Sequence, residues 1–328
     1  MENKIYYKIT NAEEKHYDFQ YRDGLNILKE EFNDNPYYHC CKGGLYFTDI
    51  DHIADFLEYG IYLREITLPI NEQNFKMIKD NNKYRANMII LGKRYELKDV
   101  STIKMLMERS PYTTTRDSLV WWNISNGCVD GLEYMINNGA KINGDLKFAI
   151  EHVSWRGYSE MLKYLLTKFN NLNLNVLMLD SIRNNQYGSE LINLKTIQAF
   201  VEAGVDVHVE NERLLINYAA HGMYSIVKYL IENGADIHAA NDYALRRIVH
   251  LNDIEMVKYL IEKGANVHAQ DEQAIEYAVE NSNPKMVKYL LEQGANVKNG
   301  QVLKKSVEKG NIEIIKILLD NGSIIDPG

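Results

Sequence analysis

The stretch Asp253-Ile254-Glu255-Met256-Val257-Lys258-Tyr259-Leu260-Ile261-Glu262-Lys263-Gly264 decides the fold of most of the chain. Its apolar residues Ile254, Val257, Leu260 and Ile261 recur at the spacing of a one-faced helix. Asp253 stands where a cap starts such a helix, and Gly264 where a left-handed residue stops it. Just upstream, Tyr243-Ala244-Leu245-Arg246-Arg247-Ile248-Val249-His250 predicts a second, shorter helix with Leu245, Ile248 and Val249 on one face. Neither helix can bury its stripe alone, so each pair needs a neighbouring pair to stack on.

That neighbour is supplied by repetition. Val227-Lys228-Tyr229-Leu230, Val257-Lys258-Tyr259-Leu260 and Val287-Lys288-Tyr289-Leu290 recur at a step of 30, each followed by a glycine, at Gly234, Gly264 and Gly294. After each glycine comes a further repeated run: Ala235-Asp236-Ile237-His238, Ala265-Asn266-Val267-His268 and Ala295-Asn296-Val297-Lys298. Looser copies centre on Leu318, Phe200, Leu165 and Met135, with a frayed first copy at Ile103-Lys104-Met105-Leu106. The array therefore holds about seven full units and a partial one, from residue 99 to residue 328.

The helix-two block with its Gly-Ala-Asp/Asn-Val/Ile-His ending, and the leucine in helix one at Leu215, Leu245 and Leu303, resemble the ankyrin repeat. The resemblance covers about two-thirds of the chain. Ankyrin repeats usually run to about 33 residues and carry a Thr-Pro-Leu-His turn. Here the step is 30 and that turn is absent, so the projecting hairpin fingers should be short or missing.

Residues 1–98 have no such period. Runs prone to strand formation, Ile5 to Ile9, Leu45 to Phe47, Tyr62 to Leu68 and Ala86 to Ile90, alternate with runs read as helical, Gly24 to Phe32 and Ile50 to Tyr59. The expectation is an α+β domain over residues 1–98 followed by an all-α ankyrin-repeat solenoid over residues 99–328. A segment of this kind ahead of short-period repeats resembles the large ankyrin families of giant DNA viruses of amoebae. That resemblance implies a non-enzymatic interaction protein. A chain rich in Asn, Ile, Lys and Tyr and poor in Pro, pointing to an AT-rich coding sequence, agrees with it.

Composition narrows the function classes. The chain has 328 residues, a net charge of −8 and no apolar run long enough to cross a bilayer. The acidic balance argues against nucleic acid as a partner, since such binding draws on Lys and Arg to neutralise phosphates. Three cysteines, two of them adjacent, cannot build a secreted disulfide framework. With no signal-peptide pattern at the start, the expected location is host cytoplasm or virion, neither secreted nor membrane-bound.

Candidate chemistry is sparse. Gly43-Gly44 lacks the strand, Gly-rich loop and helix order of a phosphate cradle and reads as a tight turn. His39, Cys40 and Cys41 lack the ligand spacing of a zinc site. Cys128 has no nearby histidine spaced as a base and is expected to pack between helices. His208, His238 and His268 fall one per repeat, too far apart to share an ion; the ankyrin resemblance, in which Asn at this position supports the turn, implies the same role for them. Tyr229, Tyr259 and Tyr289 read as packing between repeats. No catalytic residue, cofactor or metal is expected. An alternative comes from a loose resemblance of the Gly44-to-Thr48 strand, the helix after it and the strand ending at Leu68-Pro69 to ADP-ribosyltransferase-like folds. It implies an enzyme, or a degenerate version of one, with the array selecting its target. His16 or Tyr46 would then meet the nicotinamide end and Glu65 the ribose.

In ankyrin repeats the partner usually meets the loops and the exposed edge of helix one. Carried onto the regular units, this selects Asn211, Glu212, Gly222 and Met223, then Asn241, Asp242, Asn252 and Asp253, then Asp271, Glu272, Ser282 and Asn283. As a set they form an acidic stripe, which predicts a protein partner with a basic or polar surface and binding weakened by salt.

Overall fold

A computed structural model describes residues 4–35, 42–110, 112–142, 146–169, 173–184, 188–298 and 300–324. The chain forms two compact units, Met1–Lys168 and Phe169–Gly328. Among the described residues the first unit opens with nine strands: β1 (Tyr6–Thr10), β2 (Lys15–His16), β3 (Phe19–Gln20), β4 (Gly24–Ile27), β5 (Leu45–Phe47), β6 (Tyr62–Thr67), β7 (Met77–Asp80), β8 (Lys83–Ala86) and β9 (Met88–Glu96). They pair antiparallel as a four-stranded sheet in the order β1-β6-β9-β4, a three-stranded sheet β5-β8-β7, and the hairpin β2-β3. Tyr6, Phe47, Ile66, Ile89 and Leu91 share one core cluster. The Tyr6 ring meets the edge of Phe47 at 5.2 Å between centroids.

Two local expectations change. Gly24 to Phe32 begins not as a helix but as β4, paired with Met88 to Leu91 of β9. The long β9 offers a ladder that a local helix cannot match, and Leu28 continues the pairing by donating to the Asn87 carbonyl at 2.8 Å. Ile50–Tyr59 is helical as read, but of the 3-10 type. At Gly43 the backbone takes φ +93, and a Cβ there would lie 2.9 Å from the Glu31 carbonyl oxygen. The Gly43 N–H donates to the Glu30 carboxylate at 3.1 Å, so this is a packed turn with a carboxylate already on its amide.

Helices begin at residue 100. The first unit carries α1 (Val100–Arg109), α2 (Thr113–Ser125), α3 (Val129–Asn137), α4 (Leu146–Arg156) and α5 (Ser159–Lys168). The first helices dock on the strands: Arg109 donates to the Tyr7 hydroxyl at 2.7 Å, and Trp122 Nε1 to the Gly60 carbonyl at 3.4 Å. The second unit is α6 (Leu174–Asn184), α7 (Glu190–Glu202), α8 (Val209–Ala220), α9 (Tyr224–Glu232), α10 (Ala239–His250), α11 (Ile254–Glu262), α12 (Ala269–Glu280), α13 (Pro284–Glu292), α14 (Gln301–Glu308) and α15 (Ile312–Asp320). After the lone α1, the described helices form seven pairs, matching the seven full units and the partial one. Val257 and Leu260 of α11 are fully buried, as are Leu245 and Ile248 of α10. Among the described residues the array contains no strand, so the hairpin fingers of longer repeats are missing here.

Candidate interaction surface

Each regular repeat turns on the same few residues. Gly234, Gly264 and Gly294 take φ of 98, 104 and 97, ending helix two in open space. The next Asp or Asn folds the chain back: Oδ1 of Asp236 accepts the His238 N–H at 2.9 Å, and Oδ1 of Asn266 accepts that of His268 at 3.0 Å. Three residues in the left-handed region follow in place of a finger: Glu210-Asn211-Glu212, Ala240-Asn241-Asp242 and Gln270-Asp271-Glu272, with φ between 48 and 72. Such a conformation costs about 1–2 kcal/mol per residue, so bonds must hold it.

The third residue of each triplet supplies them. His238 Nδ1 bonds Asp242 at 3.0 Å and His268 Nδ1 bonds Glu272 at 2.6 Å, while His208 Nδ1 bonds Glu212. Asp242 also accepts the N–H of Asn266 at 2.8 Å, and Glu272 that of Asn296 at 3.0 Å, each 24 residues further on in the next repeat. The recurring histidines are therefore turn supports, as the ankyrin resemblance implies, and two of the carboxylates they hold, Asp242 and Glu272, tie one repeat to the next. Arg246 adds a clamp that the repeat pattern does not announce. It donates to the Asn241 and Ala240 carbonyls, both at 2.9 Å, and reaches Gln273 in the next repeat. Ile216 and Glu276 stand at the equivalent positions, so no periodic signal marks it.

This geometry sorts the residues selected from sequence. Glu212 and Asp242 are 6% and 4% exposed, turned into the array. Glu272 is half-buried and bonded at both ends. Asp253 and Asn283 are half-buried caps, accepting from Met256 N at 2.9 Å and Met286 N at 3.1 Å. Met223 and Gly222 are half-buried. Asn211, Asn241, Asp271, Asn252 and Ser282 remain exposed. The acidic stripe thus reduces to a polar row with one carboxylate, because the left-handed triplet points its third side chain inward and its second outward. Tyr259 packs between repeats as read: its hydroxyl donates to Glu232 at 3.5 Å and Lys228 lies 5.2 Å from its ring centroid. Cys128 is half-buried at the start of α3, where burial pushes its thiol up. His39, Cys40 and Cys41 lie outside the described residues.

The His208 pair gives a pH prediction. Its bond to Glu212, with that carboxylate's charge, raises the imidazole above its ordinary value of about 6.5. A raised folded value means that the pair's full contribution is present below about pH 6.5 and is lost as pH rises through the higher folded value. The melting temperature of His208→Gln is expected to fall below that of the unsubstituted chain in mild acid and to converge with it in alkali. A difference that grows with pH would contradict the assignment.

Residues tied to the transferase-like alternative are split. His16 and Tyr46 meet edge to face at 6.3 Å and line one cavity. Glu65 does not line it. Its carboxylate accepts the Tyr95 hydroxyl at 2.7 Å.

A family model for ankyrin repeats in three copies matches residues 215–301 and 245–327. An ankyrin repeat protein of Acanthamoeba polyphaga mimivirus is 42% identical over 175 residues, covering 52% of this chain and 86% of the relative. The chain belongs to the mimivirus ankyrin-repeat family. An uncharacterised protein of the same virus is 53% identical over 109 residues, covering 33% of this chain and 79% of that one. Among solved structures, the ankyrin repeat domain of Bcl-3, a member of the IkappaB protein family, is 20% identical, covering 53% of this chain and 86% of that chain with a TM-score of 0.41. Ankyrin repeats are protein–protein interaction modules, and the array of this mimivirus-type ankyrin protein is one. Among the described residues no helix is long and apolar enough to cross a membrane.

Proposed function

We propose that the chain is a non-enzymatic scaffold in which the array, residues 99–328, holds a host or viral protein, while residues 1–98 form an α+β domain at its start on which the first helices dock. The observation that carries this reading is the row Asn211, Asn241 and Asp271: one exposed side chain per repeat, each at the centre of the same left-handed turn. Asn252 and Ser282, also at positive φ, are exposed at the other end of helix one, between the two helices. A regular row of amide and carboxylate groups suits an extended polar segment of a partner better than a strongly basic one. Kinship with mimivirus proteins supports action in infected cytoplasm or in the virion.

The test uses the full chain. The variant Asn241→Arg with Asp271→Arg changes exposed side chains, so its circular dichroism should match that of the unsubstituted chain, with only a small drop in melting temperature because Arg suits φ near +55 less well than Asn or Asp. Affinity capture from infected amoebae should lose the specifically bound protein, with binding weakened about tenfold or more. Equal capture by both would refute this surface.

A further inference from the structure

The cavity that holds His16 and Tyr46 has a volume of about 400 Å³, within the range of small-molecule sites. It opens among β1, the β2-β3 hairpin, β5 and the 3-10 helix. Its lining is unusual for a chain of net charge −8: Lys8, Lys15, Lys83 and His16 face it, and no Asp or Glu does. Tyrosines 17, 21, 46 and 59 supply much of the wall.

Two buried groups point to a ligand. Lys8 is 8% exposed, and its Nζ donates to the Tyr46 carbonyl at 2.9 Å and sits 4.6 Å from the Tyr21 ring centroid. Among the described residues it forms no ion pair with a carboxylate. Burying an ammonium group unpaired is costly, and burial pulls Lys8 down to about 7. Thr10, 3% exposed, also lines the cavity, and its hydroxyl oxygen has no hydrogen-bond partner. Lys83 sits nearby, 5.1 Å from the Tyr46 ring centroid, with its charge partly met by Asp80 at 3.8 Å. Burial and the two lysines bring His16 down to about 4, so it is a neutral hydrogen-bonding group at physiological pH.

We propose that this cavity binds a small phosphomonoester carrying a flat ring, of mononucleotide size, with Lys8, Lys83 and the Thr10 hydroxyl on the phosphate and the tyrosines on the ring. A phosphate dianion answers several cations at once, where a carboxylate would leave the excess uncompensated. Aromatic side chains take a flat ring by stacking, whatever its edge groups. The anion also restores the Lys8 proton, so binding above pH 7 is coupled to proton uptake. The other charged or titratable groups around Lys8 are Tyr21, Tyr46, His16, Lys83 and its cross-strand neighbour Arg64, whose charge is held by Glu14 and Asp23.

The test is calorimetric titration of the full chain with adenosine monophosphate at pH 8 and low salt, in two buffers of different ionisation heat. Adenosine and inorganic phosphate are titrated as separate arms. The nucleotide should bind with uptake of up to one proton, and each fragment at least about tenfold more weakly. Lys8→Met should weaken the nucleotide about tenfold or more and abolish the uptake. Thr10→Val, which removes a hydroxyl with no partner inside the protein, should weaken it without lowering the melting temperature. Absence of nucleotide binding at millimolar concentration, equal binding of either fragment, or Lys8→Met binding like the unsubstituted chain overturns the proposal. Should Lys8→Met fail to fold by circular dichroism, Thr10→Val and the proton count decide.

Discussion

Replacing Gly60 by alanine is expected to destabilise the first compact unit by about 3 kcal/mol, the upper end of overpacking costs. Gly60 is extended, with φ 172, so its backbone suits any residue. The obstacle is space: a Cβ would lie 2.0 Å from the Thr10 carbonyl oxygen and 2.2 Å from its carbon. Those are main-chain atoms of β1, held by pairing with β6, and cannot swing aside as a side chain would. The same glycine offers its carbonyl to Trp122, so displacement also disturbs the docking of α2. All three tryptophans, Trp121, Trp122 and Trp155, lie in the first unit, so urea unfolding followed by their fluorescence reads that unit alone. Gly264→Ala is the contrast. Nothing lies within 4 Å of its Cβ position, so only the backbone strain at φ +104 remains, about 1–2 kcal/mol, in the second unit. A fluorescence midpoint for Gly60→Ala equal to that of the unsubstituted chain would refute the packing described.

Asp242→Ala is expected to cost about 2–4 kcal/mol in the second unit and to leave the tryptophan transition unchanged. Its 4% exposed carboxylate is the acceptor for both His238 Nδ1 and the Asn266 N–H, and hydrogen bonds to a charged group contribute about 1.5–3 kcal/mol. It also pins a triplet with φ of 50, 56 and 54, a conformation that Asn241 and Asp242 tolerate but that is costly for Ala240. Asp242→Asn keeps an acceptor oxygen at the same place and should recover most of the loss. Unfolding followed by far-ultraviolet circular dichroism separates the cases. Equal midpoints for Asp242→Ala and the unsubstituted chain would show that the carboxylate is a surface group after all.

These effects mark where the sequence is transparent and where it is opaque. The helix pairs are legible because Ile254, Val257, Leu260 and Gly264 each carry a local signal, repeated at a fixed step. Strand β4 is not, because what makes Gly24 to Ile27 extended is the distant β9, with Leu25 and Ile27 left 49% and 51% exposed. At the surface, Asn241 and Asp242 look alike in sequence. Only the run of left-handed residues sends one out and the other in, and neither Glu210, Ala240 nor Gln270 is a residue type that announces such a turn. Lys8 is hidden for a related reason: in Tyr6-Tyr7-Lys8-Ile9 it reads as the polar partner of an alternating strand, whereas every residue of β1 is buried.

Asp242 and Glu272 face inward and join successive repeats, which leaves the side chains of Asn211, Asn241 and Asp271 exposed in a row. Hydrogen exchange at the Asn266 and Asn296 amides tests it most directly. Both should be protected on the order of a hundredfold or more, with Asp242→Ala releasing Asn266 and sparing Asn296. Free exchange at both amides in the unsubstituted chain would show that these carboxylates do not join the repeats.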